Sequence, residues 1–307
     1  MIGKIVLYVA LIGLLIASSY YLYLEISDLR AEPVKFLHNK TISRNQSSYS
    51  SQLQFYPDMR FPKKDIFYNI DFSCGEDKKT RMLQAFTRLE QETDLIKFYS
   101  SQQEPDILVS CQETEVEQEA GKYFIAGEGG PTTIINTTKF YIIEKGKVLL
   151  FYKENSCNNY NVELHELLHV FGFEHSNNKE SIMYNTTFCY QVLTDDIAAE
   201  LKRLYLIPEL PDLYFNNVSV IKHGSYLDFE IDVRNQGLAN SENISLDLFS
   251  EEKIDSFELG NISYGEGKLF QAKNIKISRS LKKIKFILVD GKELEKENNE
   301  IELFLAE

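Results

Sequence analysis

The sequence predicts an α+β domain built on a mixed twisted sheet, followed by an all-β sandwich and preceded by a transmembrane helix. Over residues 53–208, apolar residues recur in turn at strand spacing and at helix spacing, which is typical of a domain containing both elements. Over residues 211–307 the apolar period is two, which predicts short antiparallel strands. Residues 1–24 are expected to be a transmembrane signal anchor, and residues 25–52 a polar linker.

The anchor is predicted from the uncharged apolar run over residues 5–24. Twenty helical residues span roughly 30 Å, the thickness of the hydrocarbon core of a bilayer. A cleaved signal peptide is the alternative, for which Ala17, Ser18 and Ser19 offer a small-residue site. The apolar run continues past that site, which favours an uncleaved anchor.

Composition and sequons indicate where the rest of the chain lies. The net charge of −13 argues against nucleic acid, whose phosphates require clustered Lys and Arg. All four cysteines follow the anchor, which suits an oxidising compartment. Seven glycosylation sequons begin at Asn39, Asn45, Asn136, Asn185, Asn217, Asn243 and Asn261. We therefore expect a single-pass membrane protein facing the extracellular side, or a secreted protein if the signal is cleaved.

The α+β domain is predicted to begin with a strand, a helix and two more strands. Alternating apolar residues from Ile66 to Phe72 predict the first strand. The helix is predicted from its first-turn acids, Glu76 and Asp77, and its apolar stripe of Met82, Phe86, Leu89 and Thr93. Residues 96–98 and 106–110 predict the two following strands.

The middle of the domain is predicted to be rich in loops and turns. The acidic residues 112–120 indicate a solvated loop, with a cation site as the alternative. Residues 123–125 and 132–135 are strand-like around a predicted turn at residues 127–131. Residues 140–143 and 148–152 predict a hairpin around Lys145 and Gly146.

A last helix and the sandwich complete the predicted fold. Thr194 is expected to cap the helix, Asp195 and Asp196 to fill its first turn, and Pro208 to end it. The sandwich strands are predicted from alternating residues: Leu227, Phe229, Ile231 and Val233; Leu246 and Leu248; Ile284, Phe286 and Leu288; Ile301, Leu303 and Leu305.

The segment over residues 165–175 carries the chemistry. On a helix, His165 and His169 lie one turn apart on the same face and can bind one zinc ion. Gly172 permits the positive φ that turns the chain, so that His175 can return as a third ligand. Three protein ligands leave a fourth position open for water, which is typical of a catalytic zinc site. Glu166 would act as the general base toward that water.

A methionine eight residues beyond the third histidine strengthens the assignment. Met183 is followed by Tyr184, and a predicted helix starts soon afterwards. Together with the histidine motif, this resembles the Met-turn of the metzincin zincins, and in particular their matrixin branch. The resemblance covers roughly residues 55–207. It implies that His165, His169 and His175 bind the zinc, that Glu166 is the base and that Met183 supports the site.

The departures from the matrixin pattern affect latency and metal content. No cysteine precedes Cys74, so the cysteine that caps zinc in matrixin propeptides is missing. No histidine lies between Cys111 and His165 that could hold a second, structural zinc, so we expect one catalytic Zn²⁺. A calcium requirement stays open. Asn185, not tyrosine, stands two places past Met183, so the tyrosine ligand of astacins and serralysins is missing.

The resemblance also implies a pairing of the cysteines. In a metzincin sheet the first and third strands are neighbours, and Cys74 and Cys111 end those two strands. Cys157 precedes the active-site helix and Cys189 follows the Met-turn. We therefore expect disulfides 74–111 and 157–189, with zinc ligation by cysteine as the alternative.

The C-terminal sandwich resembles the CARDB family of adhesion-related domains in its residues 211–213, 233–237 and 289–299. That resemblance implies an immunoglobulin-like fold and a spacer or binding role. For the whole chain we expect a zinc endopeptidase acting on protein or peptide substrates. Two alternatives stay open: a surface adhesion protein whose zincin domain does not cut, and a zinc amidase acting on a cell-wall crosslink.

Overall fold

The computed structural model describes residues 34–36, 53–112, 126–151, 159–289 and 291–305. The predicted anchor, the acidic loop from residue 113 to residue 120 and the strand at 123–125 lie outside these residues. Within them, no helix combines the length and the apolar character needed to cross a membrane.

A six-stranded mixed sheet organises the first domain. Its strands are β2 (Met59–Arg60), β3 (Asp65–Ile70), β4 (Lys97–Ser100), β5 (Ile107–Gln112), β6 (Gly127–Asn136) and β7 (Tyr141–Phe151). The order is β2-β7-β5-β3-β4, with every pair in that path parallel. β6 alone runs antiparallel, along β7. The sheet is therefore mixed, as predicted.

Three helices cover the sheet. They are α1 (Glu76–Thr93), α2 (Asn161–Val170) and α3 (Asp195–Leu206). One buried cluster contains apolar residues of the strands and of all three helices, with Met82, Leu167 and Leu201 completely buried. A buried ion pair also joins two of the helices, since Lys78 Nζ lies 3.4 Å from Glu163 Oε1. The helix that carries the histidine motif is thus held in the middle of the core.

Several predicted elements are confirmed. The first strand, helix α1 with its stripe of Met82, Phe86, Leu89 and Thr93, and strands β4 and β5 lie where the periodicity placed them. Phe72 is the exception, because the strand ends at Ile70 and the Phe72 side chain is 93% exposed. Thr194 occupies the N-cap position of α3, but its side chain makes no capping hydrogen bond.

Two predicted turns are wrong. Lys145 and Gly146 lie inside β7, which continues without interruption from Tyr141 to Phe151. Residues 127–131 belong to strand β6, and the true hairpin turn lies at residues 137–140. Glycine serves close packing here, because a Cβ atom on Gly146 would overlap the Val170 side chain of α2.

The second domain is a sandwich of two four-stranded sheets around a common core. Its strands are β1 (Val34–Phe36), β8 (Leu213–His223), β9 (Tyr226–Asn235), β10 (Ile244–Phe249), β11 (Lys253–Gly260), β12 (Gly267–Lys276), β13 (Lys283–Val289) and β14 (Glu300–Phe304). One sheet has the order β11-β10-β13-β14 and the other β1-β8-β9-β12. The predicted linker thus contributes a strand to this sheet, since β1 pairs antiparallel with β8.

The two domains are packed against each other through the β6–β7 hairpin. Phe140 and Ile142 form a small apolar cluster with Leu238 of the sandwich. Lys139 Nζ lies 2.6 Å from Asp212 Oδ2, whose side chain is completely buried, and 3.2 Å from Glu295 Oε2. A Cβ atom on Gly265 would overlap Ile135, which shows how closely the surfaces approach.

Cys74 and Cys111 form a disulfide, as predicted, and join the start of α1 to the end of β5. Cys189 is also disulfide-bonded, while its predicted partner, Cys157, lies outside the described residues.

Candidate active site

The end of helix α2 builds the site. His165 and His169 lie one turn apart on this helix, and the chain then turns at Gly172, whose φ is +84°. The Phe173 N–H donates to the Leu168 carbonyl, which closes the turn. A Cβ atom on Gly172 would overlap the sulfur of Met59, so glycine is required both for its backbone angle and for the available space.

Two backbone carbonyls orient the first two imidazoles. His165 Nδ1 lies 2.7 Å from the Ile182 carbonyl oxygen, and His169 Nδ1 lies 2.7 Å from the Phe173 carbonyl oxygen. A carbonyl oxygen can only accept a hydrogen bond, so each Nδ1 carries the proton. Each Nε2 therefore presents a lone pair, as a metal ligand requires.

The three Nε2 atoms converge on one point. His165 and His169 are separated by 3.0 Å, His169 and His175 by 3.2 Å, and His165 and His175 by 3.3 Å between these atoms. Zinc–nitrogen bonds at tetrahedral angles place the ligand nitrogens about 3.3 Å apart. The three histidines therefore fit a zinc ion held by three imidazole nitrogens.

The protonation of the histidines agrees with this role. Burial lowers the pKa of His165 to about 4, and neighbouring His169 acts in the same direction. Burial also lowers the pKa of His169. His175 is exposed, so the site opens to solvent on that side. The imidazoles of His165 and His169 are therefore neutral at physiological pH and can bind a cation without first losing a proton.

Glu166 lies beside the triad and is almost completely buried, with 7% of its surface exposed. Burial raises the pKa of Glu166 to about 8, with Glu128 and Glu163 acting in the same direction and the Gly129 backbone N–H acting against them. A divalent cation at the triad favours the ionised carboxylate and opposes that shift. Zinc binding would therefore lower the pKa of Glu166 from that value.

The turn that contains Met183 positions two of the three histidines through its backbone carbonyls. Met183 is completely buried, and the Tyr184 N–H donates to the Ser181 carbonyl across the turn. The carbonyl of Ile182 holds His165, while the carbonyl of Met183 accepts from the N–H of Ser176, next to His175. Two ligands thus depend on one tight turn, in the place predicted for the Met-turn.

Strand β6 runs past Glu166 with glycine at the closest points. A Cβ atom on Gly127 would lie 2.7 Å from Glu166 Cγ, and one on Gly129 would overlap the Glu166 carbonyl oxygen. β6 pairs with β7 along one edge, and within the described residues no strand pairs with its other edge. The strand with the free edge is therefore the strand that packs against Glu166.

Sequence reasoning missed three supporting features of the site. Gln54 is buried and its Nε2 donates to the carbonyls of Met59 and Phe171, and the Phe55 ring stacks on His169 at 5.9 Å. The carbonyls of Ile182 and Phe173 were not expected as partners of the ligands. Backbone carbonyls have no sequence signature. The glycines of residues 127–130 did indicate close packing against another element, but they were interpreted as a turn.

An aromatic surface follows the Met-turn. Phe188 and Tyr190 stack with ring centroids 5.4 Å apart, and Tyr184 stacks on Phe188 at 6.3 Å. Phe188 and Tyr190 are 37% and 59% exposed. Asn161, at the start of α2, donates to the Phe188 carbonyl and fixes this segment to the helix.

Comparisons with known proteins agree with this geometry. The family model of the matrixins, peptidase family M10, matches residues 60–206. No curated protein matches the chain. Among solved structures, the CARDB domain of a Pyrococcus furiosus protein in complex with di-metal ions matches with a TM-score of 0.26 and 14% sequence identity, over 32% of this chain and 90% of that chain. With the family match covering the sheet, the three helices and the histidine triad, residues 60–206 form a matrixin zinc metalloendopeptidase domain.

Proposed function

We propose that the protein is a membrane-anchored zinc endopeptidase that cuts extended segments of proteins outside the cell, with Glu166 as its general base. The observation that carries the proposal is the position of Glu166, buried beside the three converging imidazoles and packed against the glycines of strand β6. Zinc binding needs the histidines but not this carboxylate, so its presence argues against a domain that only binds.

The residues divide the hydrolysis between them. When bound, zinc polarises the scissile carbonyl and lowers the pKa of the attacking water to about 7. Glu166 accepts a proton from that water as its oxygen bonds to the carbonyl carbon. As the carbon–nitrogen bond breaks, Glu166 donates the proton to the leaving amine. His165 and His169 keep their orientation throughout, because backbone carbonyls hold their Nδ1 atoms.

The free edge of β6 favours an extended peptide over other amides. A peptide that pairs with this edge would gain main-chain hydrogen bonds and bring one of its carbonyls beside Glu166. That substrate edge would then be β6 itself. The stacked rings of Tyr184, Phe188 and Tyr190 would contact apolar side chains of the substrate.

Cleavage of a mixed peptide library tests the catalytic proposal. The zinc-loaded full chain should cut, and the Glu166→Gln variant should bind one zinc per chain but lose activity by at least about a thousandfold. Cuts by both proteins would remove Glu166 from the role of base. No cuts by the native chain, with zinc bound, would overturn the peptidase proposal and favour adhesion or cleavage of a cell-wall crosslink.

Membrane attachment through residues 5–24 and an outward orientation complete the proposal. Five of the seven sequon asparagines lie within the described residues and all five are exposed: Asn136, Asn185, Asn217, Asn243 and Asn261. The disulfide between Cys74 and Cys111 also suits an oxidising compartment. The chain should stay in the membrane pellet after alkaline carbonate washing and be digested by protease added to intact cells. Release into the wash would support secretion after cleavage of the signal.

A further inference from the structure

We propose that one end of the sandwich, the basic end formed by residues 276–285, rests on anionic lipid headgroups of the membrane that holds the chain. This inference rests on the anchor proposed above and adds an orientation to it. It follows from the charge of this segment, the side chains around it and the direction from which the chain reaches the sandwich.

The charge of the segment is opposite to that of the whole protein. Residues 276–285 contain five cationic side chains and no Asp or Glu, in a chain of net charge −13. Lys276, Arg279, Lys282 and Lys283 are exposed. Among the described residues, no ion pair is found for Lys276 or Arg279. A local positive surface on an acidic protein points to an anionic partner.

Neighbouring loops gather at the same end. The Ile277 N–H donates to the Ser225 carbonyl, and the Leu305 N–H donates to the Lys282 carbonyl. Lys222 Nζ lies 2.7 Å from the Leu281 carbonyl and adds another cation. The acidic side chains here are Asp228, Glu251, Glu252, Glu300 and Glu302; Asp228 pairs with His223, Glu302 with Lys283 and Glu300 with Lys285. Among the described residues of this end, Lys222 and the five cations of the segment outnumber these five acids.

Exposed aromatic rings accompany the cations. Phe304 is 69% exposed and Tyr226 is 46% exposed. Lys283 Nζ lies 5.8 Å from the centroid of the Phe304 ring. Aromatic rings beside lysines are typical of surfaces at the boundary between lipid and water, where the rings enter the headgroup layer and the cations bind phosphate. This combination favours a lipid surface over a soluble anion.

The path of the chain brings this end toward the membrane. β1 runs antiparallel to β8, with residue 34 opposite Val220 and residue 36 opposite Val218. Because β8 ends at His223, beside the basic end, the chain reaches β1 from that side. Residues 24 and 34 are ten steps apart along the chain, which reach at most about 35 Å when extended. An anchor over residues 5–24 thus keeps the basic end near the headgroups.

The catalytic domain lies at the other end of the sandwich. It contacts Asp212, Gln236 and Leu238, next to the start of β8 and the end of β9. The eleven residues of β8 cover about 35 Å between the two ends. The sandwich would therefore act as a spacer that holds the active site away from the bilayer, within reach of protein segments that project from the membrane.

The absence of tryptophan from the sequence allows a direct test. A Phe304→Trp variant of the full chain carries one fluorophore at the basic end, and a Phe72→Trp variant carries one on the catalytic domain. Both are reconstituted in vesicles of brominated phosphatidylcholine, with or without phosphatidylglycerol. We expect quenching of the Phe304→Trp variant to exceed that of the Phe72→Trp variant by about twofold or more, with anionic lipid and low salt increasing the difference.

Charge reversal provides the matched comparison. When Lys276→Glu and Arg279→Glu are added to the Phe304→Trp variant, its quenching should fall to that of the Phe72→Trp variant. When Lys97→Glu and Lys147→Glu, on the catalytic domain, are added instead, the quenching of the Phe304→Trp variant should stay unchanged. Equal quenching of the two reporters in proteins that sediment with the vesicles would overturn the basic end as a lipid surface while keeping the anchor. Failure of the full chain to sediment with any vesicle would overturn the anchor together with this inference.

Discussion

Gly129 of the edge strand lies directly against the backbone of Glu166, so that a Cβ atom at position 129 would overlap the Glu166 carbonyl oxygen. Gly127 of the same strand packs against the Glu166 side chain, since a Cβ atom there would lie 2.7 Å from Glu166 Cγ. The two glycines therefore set the distance between the edge strand and helix α2.

A Gly129→Ala substitution should disrupt the site. An extra methyl group in a closely packed site typically destabilises the folded state by about 1–3 kcal/mol. If the same energy is lost from transition-state binding because Glu166 moves, kcat/KM should fall by about ten- to a hundredfold. Gly130→Ala is the matched control, because nothing lies within 4 Å of a Cβ atom at that position. Peptide cleavage by the two variants checks the prediction, and equal rates would contradict the close approach of Gly129 to Glu166.

Removal of zinc should abolish activity and destabilise the matrixin domain. A ligand present at a thousand times its Kd stabilises the folded state by about 4 kcal/mol, so a chelator should lower the Tm by several degrees. A His169→Ala variant should bind no zinc in an elemental assay. His223→Ala is the control, since this residue lies on the sandwich beside Asp228. One zinc per chain in the His169→Ala variant would rule out the triad as the site.

The contact between the domains should depend on Lys139. Its partner Asp212 is completely buried and would lose its cation in a Lys139→Met variant. Breaking a buried ion pair lowers the free energy of unfolding by about 3–5 kcal/mol. We expect a loss of about 2 kcal/mol in the Lys139→Met variant, because Lys139 is partly exposed. Denaturant unfolding should show that loss, and adding Asp212→Asn should recover much of it. Additive losses in the double variant would show that the two side chains do not interact.

The sandwich should lose stability in acid through Asp247. Burial acts to raise the pKa of Asp247, but hydrogen bonds from Lys253 and Ser256 outweigh it and leave the pKa below its usual value. A carboxyl group whose pKa is lowered by folding stabilises the protein above its unfolded pKa, about 3.9, and loses that contribution as the pH falls through the folded value. The free energy of unfolding should therefore be larger for the native chain than for the Asp247→Asn variant near neutral pH. The difference between the two should become smaller below about pH 4, as measured by denaturant unfolding at several pH values.

The disulfide between Cys74 and Cys111 should stabilise the catalytic domain. It closes a loop with a sequence separation of 37, for which loop entropy predicts roughly 4 kcal/mol or somewhat less. A Cys74→Ala, Cys111→Ala double variant should show this loss in urea unfolding and keep one zinc per chain. Loss of zinc from the folded double variant would instead support the alternative hypothesis that these cysteines bind zinc.

Local sequence was sufficient for the zinc ligands. His165 and His169 share a helix, and Gly172 has the positive φ that allows the turn after it. These are short-range relationships set by helical period and by the conformational range of glycine. The stripe of α1 was predictable for the same reason, because its residues repeat at helical spacing.

Glycine was misread where its role depended on distant residues. Gly127, Gly129 and Gly146 were assigned to turns, yet all three lie in strands that pack against α2. A turn glycine and a packing glycine look alike in sequence, because the difference lies in a helix that follows later in the chain. The strand at residues 34–36 was missed for a similar reason, since its partner β8 begins almost 180 residues later.

The sequence alone therefore determined the metal, its three ligands and the order of the two domains, because each depends on residue type at short spacing. Only the tertiary structure decided which strand offers a free edge beside Glu166, which carbonyls orient the imidazoles and how the hairpin at residues 137–140 joins the sandwich. Those features arise when segments far apart in the chain pack together, and packing over such distances leaves no periodic or compositional mark on either segment.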